Sequence, residues 1–288
     1  MTDNDYPALY RSADAASEST KTGHVAIVWG QSGCLILGAA VGLWPSPSRI
    51  IAFIAALLFL ASLAVTIFAR TQQFQQSWYQ ARALAESIKT TSWLYMMGAD
   101  PYNVDDVSAA HVFRATLTQL LEDNRSLGDH FESTPAADEQ LTPRMREVRE
   151  FTVGDKVAFY REYRINDQRQ WYTQQATANR TQGKLWFRIL VALYLLATVS
   201  VLIRVAAPGF KYYASGLLAV AASSVLTWIQ LKRYSEIAAA YVLTSHEIGI
   251  IQQGLGSITG AEQLSMFVAN AENAFSREHT QWAARRRE

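Results

Sequence analysis

The side chains best suited to bind a ligand form one aromatic and basic run, Phe159-Tyr160-Arg161-Glu162-Tyr163-Arg164, which continues to Trp171-Tyr172. Aromatic rings and guanidinium groups stack on flat, charged ligands, so this run could hold a nucleotide. The run also fits a helix whose rings pack on a neighbouring helix, between Phe74 and Tyr95, while its charges face water. We favour this second interpretation.

No arrangement of residues indicates catalysis or metal binding. The chain has five histidines: His24, His111, His130, His246 and His279. None lies with another histidine, a cysteine or a carboxylate at the spacing of a zinc site, and neither a Ser–His–Asp set nor a G-x-S-x-G motif occurs. We therefore expect no enzyme, no metal and no cofactor. Because the net charge is only +1, we also expect no nucleic-acid partner.

Hydroxyl and amide side chains recur along two apolar stretches. Those that could line an aqueous path are Ser62, Thr66, Ser223, Thr227 and Gln230. Small and hydroxyl residues also let membrane helices approach closely, and we favour such packing. No charged or histidine side chain lies deep in an apolar stretch, which argues against a dedicated transporter. Two possibilities are left for the spans: a weakly selective pore or a structural assembly.

Four stretches are long and apolar enough to cross a membrane, which takes about 20 residues of helix. They are residues 25–44, 50–69, 189–207 and 212–231. Prolines interrupt the chain at 45–49 and 208–211, so each pair of stretches is joined by a tight turn. We predict an all-α integral membrane protein with two transmembrane helical hairpins.

The distribution of lysine and arginine predicts the orientation. With both termini in the cytoplasm, nine basic residues near span ends are inside and three outside. The inner ones are Arg11, Lys21, Arg70, Arg82, Arg180, Lys184, Arg188, Lys232 and Arg233. The outer ones are Arg49, Arg204 and Lys211.

The second span is expected to continue as a long cytoplasmic helix, since no glycine or proline occurs between Ser48 and Met97. Its exposed part has apolar and small residues at alternating spacings of 4 and 3: Phe74, Trp78, Ala81, Ala85, Ile88, Ser92 and Tyr95. This heptad pattern, which we call the α3 seam, requires a partner helix. Arg82, Glu86 and Lys89 lie off it at the spacing of helical ion pairs.

The chain therefore divides into four regions. Residues 1–24 are expected to be a flexible polar N-terminus, and 25–103 the first hairpin with its cytoplasmic helix. Residues 104–182 form a cytoplasmic helical region, and 183–288 comprise the second hairpin with the C-terminal cytoplasmic helices.

Scattered aromatic and charged positions carry a family resemblance. Trp78-Tyr79-x-x-Arg82-Ala83-x-Ala85-Glu86-Ser87-Ile88-Lys89, followed by Trp93 and Asp100-Pro101-Tyr102, resembles the first module of the SLATT proteins, the SMODS- and SLOG-associating two-transmembrane effector domains. So does the segment 163–168 with Trp171-Tyr172. Residues 241–247, Phe267-Val268, Glu272 and Glu278-His279-x-x-Trp282 resemble a second SLATT type.

This resemblance implies a bacterial protein of the inner membrane that acts as the effector of a nucleotide-signal-linked, anti-phage conflict system. Such an effector is expected to form an oligomeric pore or otherwise disrupt the lipid bilayer, as a homo-oligomer. It is expected to respond to a separate protein that synthesises or senses a nucleotide second messenger. The alternative is a non-conducting membrane scaffold that recruits a cytoplasmic partner through residues 104–182.

Overall fold

A computed structural model describes residues 1–43, 49–72, 74–131, 139–207 and 214–284. All regular secondary structure in these ranges is helical, which confirms the predicted all-α class. The α-helices are α1 (Ala8–Val41), α2 (Arg49–Gln72), α3 (Phe74–Met97), α4 (Asp106–Asp123), α5 (Pro143–Arg149), α6 (Val153–Tyr160), α7 (Asp167–Ala206), α8 (Ser215–Lys232), α9 (Tyr234–Gln253) and α10 (Ala261–Ala284). A π-helical turn, Arg161–Asn166, connects α6 to α7.

Polar caps and one glycine set several of these boundaries. The Asp105 carboxylate accepts hydrogen bonds from the backbone amides of Val107 and Ser108 at the start of α4, and Thr142 and Thr152 cap α5 and α6 in the same way. Gly98 follows the last residue of α3 with a φ of 67°. Glycine adopts this left-handed conformation without the steric cost that other residues incur, so it ends the helix.

The chain folds into two compact units. Unit 1 comprises Met1–Lys21, Phe74–Thr173 and Leu243–Glu288, and unit 2 comprises Thr22–Gln73 and Gln174–Val242. Helices α1, α7 and α9 each contribute residues to both units.

Unit 2 contains the apolar segments of four helices that are long and apolar enough to cross a membrane. Large apolar side chains on these helices are exposed, among them Phe53 at 64% and Leu195 at 62%. A protein in water does not leave so many such side chains unburied, whereas lipid solvates them. The prediction of a membrane protein with four spans is thereby confirmed. The predicted turn at 208–211 lies outside the described residues, and so does the turn at 45–49 except for Arg49, which begins α2.

Two packing features hold unit 2 together. The rings of Trp29, Trp186 and Trp228 form a cluster with centroids 5.0 to 6.0 Å apart. Gly38 of α1 lies against the ring of Phe59 in α2, so that a Cβ at this position would lie 3.3 Å from a ring carbon. Glycine thus permits the close approach of α1 and α2.

Unit 1 is built around α3. The α3 seam residues Ala81, Ala85, Ile88, Ser92 and Tyr95 are buried, and Phe74 and Trp78 are half-buried. The main partner of α3 is α10, and α4 and α5 also pack on it. The seam prediction is confirmed, with a partner from the same chain. On α10, Leu264, Val268, Ala271 and Phe275 are the apolar residues buried in unit 1.

The N-terminal segment differs from the flexible tail expected for residues 1–24. Helix α1 begins at Ala8, and Tyr6, Tyr10 and Ala13 are buried in unit 1. The backbone is also fastened, because the Thr142 hydroxyl donates to the carbonyl of Asp5 (2.7 Å) and the amide of Leu9 donates to the side chain of Gln140 (3.1 Å). The segment is ordered because its buried residues lie on one face of a helix, although its overall composition is polar. Tyr6, Tyr10, Ala13, Ser17 and Thr20 follow spacings of 4 and 3, and all are buried.

Candidate functional site

A buried ion pair lies in the core of unit 1. The Arg164 guanidinium donates from Nε to Oε1 of Glu272 (2.9 Å) and from Nη2 to Oε2 (2.6 Å). The two side chains are only 2% and 1% exposed. A planar guanidinium meets a planar carboxylate through two parallel bonds, which fixes their relative orientation as well as their distance.

Two local features of the chain place this pair. Arg164 and Ile165 lie in the π-helical turn and are both buried, together with Phe159 and Tyr160 at the end of α6. A π-helical turn inserts a residue into the helical ladder, and such turns are frequent at functional sites. Glu272 occupies a position between Val268 and Phe275 on the buried face of α10.

The carboxylate of Glu272 is fully engaged. The Tyr160 hydroxyl donates to Oε1 (2.9 Å) and the Thr90 hydroxyl donates to Oε2 (3.0 Å), in addition to the two bonds from Arg164. The hydrogen bonding of the guanidinium is incomplete, because Arg164 Nη1 is buried without a hydrogen-bond acceptor. The guanidinium carbon lies 5.2 Å from the centre of the Phe275 ring, so a cation–π contact compensates part of this deficit.

Arg164 keeps its charge and Tyr160 keeps its proton near neutral pH. Burial lowers the pKa of Arg164, but attraction by Glu272 outweighs this effect and leaves the pKa above its ordinary value. Burial, followed by repulsion from Glu272, raises the pKa of Tyr160 well above 10. Tyr160 therefore remains a hydrogen-bond donor to Glu272 near neutral pH.

A second polar contact joins α3 to the N-terminal segment. The indole Nε1 of Trp93 donates to the Tyr6 hydroxyl (3.0 Å), and both side chains are buried. The Lys89 ammonium lies 5.6 Å from the centre of the Tyr6 ring. The Trp93 ring also packs edge-on against Tyr160, with ring centres 5.5 Å apart. The N-terminal segment, α3 and α6 thus meet at Trp93.

The predicted motif of α3 does not form one site. Trp93 and Lys89 lie beside Tyr6, whereas the Arg82 guanidinium lies 5.8 Å from the centre of the Trp171 ring. Trp78 stacks on its neighbour Tyr79 with ring centres 4.7 Å apart. Glu86 is half-buried on α3. The motif contributes to packing and charge balance along the helix.

The expectation that the charges of the 159–164 run face water was wrong for Arg164. The expectation for the rings was correct in part, since Phe159 and Tyr160 pack on Trp93. Phe159 also contacts Phe151 and Tyr163. Spacing alone could not reveal the role of Arg164, because its partner lies 108 residues away. The available signal was a lone glutamate, Glu272, which lies at helical spacing from the apolar residues Val268 and Phe275.

The polar residues of the spans occupy different environments. Ser62 is buried, whereas Thr66, Ser223, Thr227 and Gln230 are exposed. The hydroxyls of Thr66 and Thr227 donate to the carbonyls of Ser62 (2.8 Å) and Ser223 (2.9 Å) on their own helices. Such bonds satisfy a hydroxyl in an apolar medium. The exposed positions can meet lipid or another protein.

Within the described residues, no group of three histidine, cysteine, aspartate or glutamate side chains could hold a metal ion. Two open cavities of unit 1 lie beside the end of α3.

Two family models match the chain. The model described as "SMODS and SLOG-associating 2TM effector domain 3" matches residues 7–156. The model described as "SMODS and SLOG-associating 2TM effector domain 1" matches residues 160–282. The segment 163–172, which the sequence analysis grouped with the first module, belongs to the second match. No curated protein and no solved structure matches the chain.

Proposed function

Since the chain belongs to the SLATT family of two-transmembrane effector domains, with two modules fused in one polypeptide, we propose that it is the membrane effector of a bacterial anti-phage or conflict system. Its hairpins assemble into a homo-oligomer and open a weakly selective pore in the inner membrane. Both termini lie in the cytoplasm, as the excess of lysine and arginine on that side supports.

One observation carries this proposal: the apolar spans are continuous in helix with the folded core of unit 1. Helix α1 runs without interruption from Ala8, beside the buried Tyr6, into the first span and ends at Val41. Helix α7 begins directly after the π-helical turn that holds Arg164 and continues through the third span to Ala206. A rearrangement at the Arg164–Glu272 pair therefore shifts a helix that crosses the membrane.

The activating signal comes from a separate protein that makes or senses a nucleotide second messenger. This part of the proposal rests on the family membership. In the structure the Arg164–Glu272 pair is formed, and we propose that the signal acts by breaking it.

The experiment is reconstitution of the full chain into liposomes that contain a self-quenching dye. Dye release that rises with the protein-to-lipid ratio is the expected result, with single-channel currents in planar bilayers as the second measurement. A heat-denatured sample of the same preparation is the control. Absence of dye release and current in every oligomeric state, with and without the cognate signalling protein, contradicts the pore.

A non-conducting scaffold is the second candidate. The observation in its favour is an exposed apolar pair at the start of α4, where Val107 is 82% exposed and Val104 is 46% exposed. These residues lie in the region 104–182 and offer a surface to a cytoplasmic partner. Capture of that partner by a chain that releases no dye would favour the scaffold.

A further inference from the structure

The end of α3 leaves an open space beside two cationic groups. Gly98 has no side chain, and a Cβ placed on it would lie 3.8 Å from Nη1 of Arg149 and 3.8 Å from Nζ of Lys156. No other atoms approach that point within 4 Å, apart from the neighbouring backbone. The two nitrogens therefore face a common vacant position.

Arg149 is held rigidly in this arrangement. Its Nε donates to Asp106 (2.8 Å), its Nη1 to the carbonyl of Tyr95 (2.8 Å), and its Nη2 to the carbonyls of Tyr102 (3.0 Å) and Val104 (2.8 Å). One N–H of Nη1 remains for a further acceptor, since a guanidinium carries five. Asp106 neutralises Arg149 by this contact.

Lys156 is attracted by the same carboxylate, Asp106, but forms no salt bridge with it. Within the described part of the chain, its ammonium group makes neither a hydrogen bond nor a salt bridge. Burial, followed by repulsion from Arg149, lowers the pKa of Lys156. Two like charges held together in a partly dehydrated position destabilise each other, and a bound anion relieves that cost.

The space around these groups is a cavity with two compartments. Arg149, its partner Asp106 and Lys156 line a compartment of about 220 Å³, among whose other residues are Gly98, Asn103 and Ala261. The last three residues also line a second compartment of about 750 Å³. Its remaining walls carry four polar side chains beside two apolar ones: Asp100, Glu262, Ser265, Asn270, Met266 and Ala269.

We propose that this cavity binds a small phosphate ester of a polyhydroxylated compound. The phosphate group occupies the compartment beside Lys156 and Arg149, and the hydroxyl groups of the ester face the wider compartment. Asp100 and Glu262 accept hydrogen bonds from hydroxyl groups there and repel a second anionic group. The chemistry therefore selects a ligand with its negative charge at one end.

The ligand would contact the end of α3, the first residue of α10 and helix α6 at once. These are the helices that bring Thr90, Glu272 and Tyr160 together. Binding at this cavity stabilises that arrangement of unit 1 without requiring that the spans conduct.

The test uses the full chain in detergent, with ribose 5-phosphate as the probe and thermal unfolding and calorimetric titration as readouts. Ribose 5-phosphate is expected to raise the midpoint of unfolding, and ribose alone is not. Inorganic phosphate is expected to compete with ribose 5-phosphate. Lys156→Gln should weaken binding about tenfold or more, because a charge-assisted hydrogen bond is lost.

Two variants make this result specific. Lys156→Arg retains the charge and should retain most of the affinity, whereas Lys21→Gln, which removes an exposed lysine paired with Glu18, should bind as the unchanged protein does. Without ligand, Lys156→Gln should unfold at the same or a higher temperature, because an unpaired cation is removed. Equal affinity of Lys156→Gln and the unchanged chain, or equal stabilisation by ribose and its phosphate, would overturn the site.

Discussion

The guanidinium of Arg164 and the carboxylate of Glu272 face each other in the core of unit 1 with two hydrogen bonds, although 108 residues separate them in the chain. The contact fastens the π-helical turn before α7 to the middle of α10. It also recruits Thr90 from α3, so three helical segments share one carboxylate. This dependence on one group leads to the first prediction.

Replacement of Glu272 by glutamine should destabilise the protein by about 3–5 kcal/mol, because Arg164 would remain as a buried charge without its counter-charge. The free energy of unfolding in detergent, from chemical denaturation followed by tryptophan fluorescence, measures this effect. Glu247→Gln on the exposed side of α9 is the matched control and should change the free energy by less than about 0.5 kcal/mol.

Simultaneous replacement of both partners by apolar residues should recover part of that loss. Arg164→Met with Glu272→Leu removes both buried charges, and such replacements are often neutral relative to the ion pair. Recovery is incomplete because the hydroxyls of Tyr160 and Thr90 lose their acceptor, at a cost of about 1–3 kcal/mol each. A double variant less stable than both single variants would show that the pair does not act as a unit.

Removal of the Tyr6 hydroxyl should loosen the N-terminal segment. In Tyr6→Phe the indole N–H of Trp93 stays buried without an acceptor, which costs about 1–3 kcal/mol. Hydrogen exchange of the first turns of α1 should then increase. Tyr163→Phe, at a ring that is 45% exposed, is the control. Unchanged exchange in Tyr6→Phe would mean that packing alone holds the segment.

Stability should fall as the pH rises above 10. Burial raises the pKa of Tyr6, Tyr10 and Tyr160 above the ordinary value of 10. Between the ordinary and the raised pKa, the unfolded chain loses these protons while the folded chain keeps them, so the folded state loses stability with rising pH. Tyr6→Phe should make this decrease shallower in denaturation curves recorded from pH 9 to about pH 11. An unchanged slope would exclude Tyr6 as a contributor.

A larger side chain at Gly38 should separate α1 from α2. Gly38→Leu places new atoms where the Phe59 ring lies, and overpacking of this kind costs about 1–3 kcal/mol. Gly33→Leu, on the same helix but with nothing within 4 Å of its Cβ position, controls for helix propensity. The thermal midpoint in detergent should fall only in the first variant. An equal decrease in both would place the effect outside the α1–α2 contact.

The polar residues of the spans distinguish a pore from a scaffold. Combined replacement of Ser62, Thr66, Ser223 and Thr227 by alanine should reduce dye release if these side chains contact water in the open state. The control is Thr198→Ala, which removes an exposed threonine of α7 that is not among these four residues. Unchanged release in the fourfold variant, together with loss of activity when Ile88 of the α3 seam is replaced by aspartate, would favour the scaffold.

Periodicity in the sequence predicted the helices and much of the core. The α3 seam was predictable because Ala81, Ala85 and Ile88 repeat with the heptad, and the spans were predictable because hydrocarbon thickness sets their length. The same rule applied to Tyr6, Tyr10, Ala13, Ser17 and Thr20, but the Ser, Asp and Glu residues among them suggested a flexible tail. Helical spacing is the stronger signal in such a segment.

The candidate site was predictable only in part. Arginine in an amphipathic helix is usually solvated, so its sequence neighbours gave no reason to bury Arg164. Its burial depends on Glu272 and Phe275, which reach it through the tertiary fold. The space at Gly98 likewise depends on Arg149 and Lys156, which the chain brings back to the end of α3 after about 50 residues of α4 and its following loop.

The two matched domains meet at the carboxylate of Glu272, which accepts from Thr90 of the first and from Arg164 of the second. Fusion therefore fixes their ratio at one to one, and neither can be exchanged for a second copy of the other without breaking this contact. Any closed ring made of such chains contains an even number of hairpins, alternating between two kinds. Its rotational symmetry then has half the order that the number of hairpins would suggest.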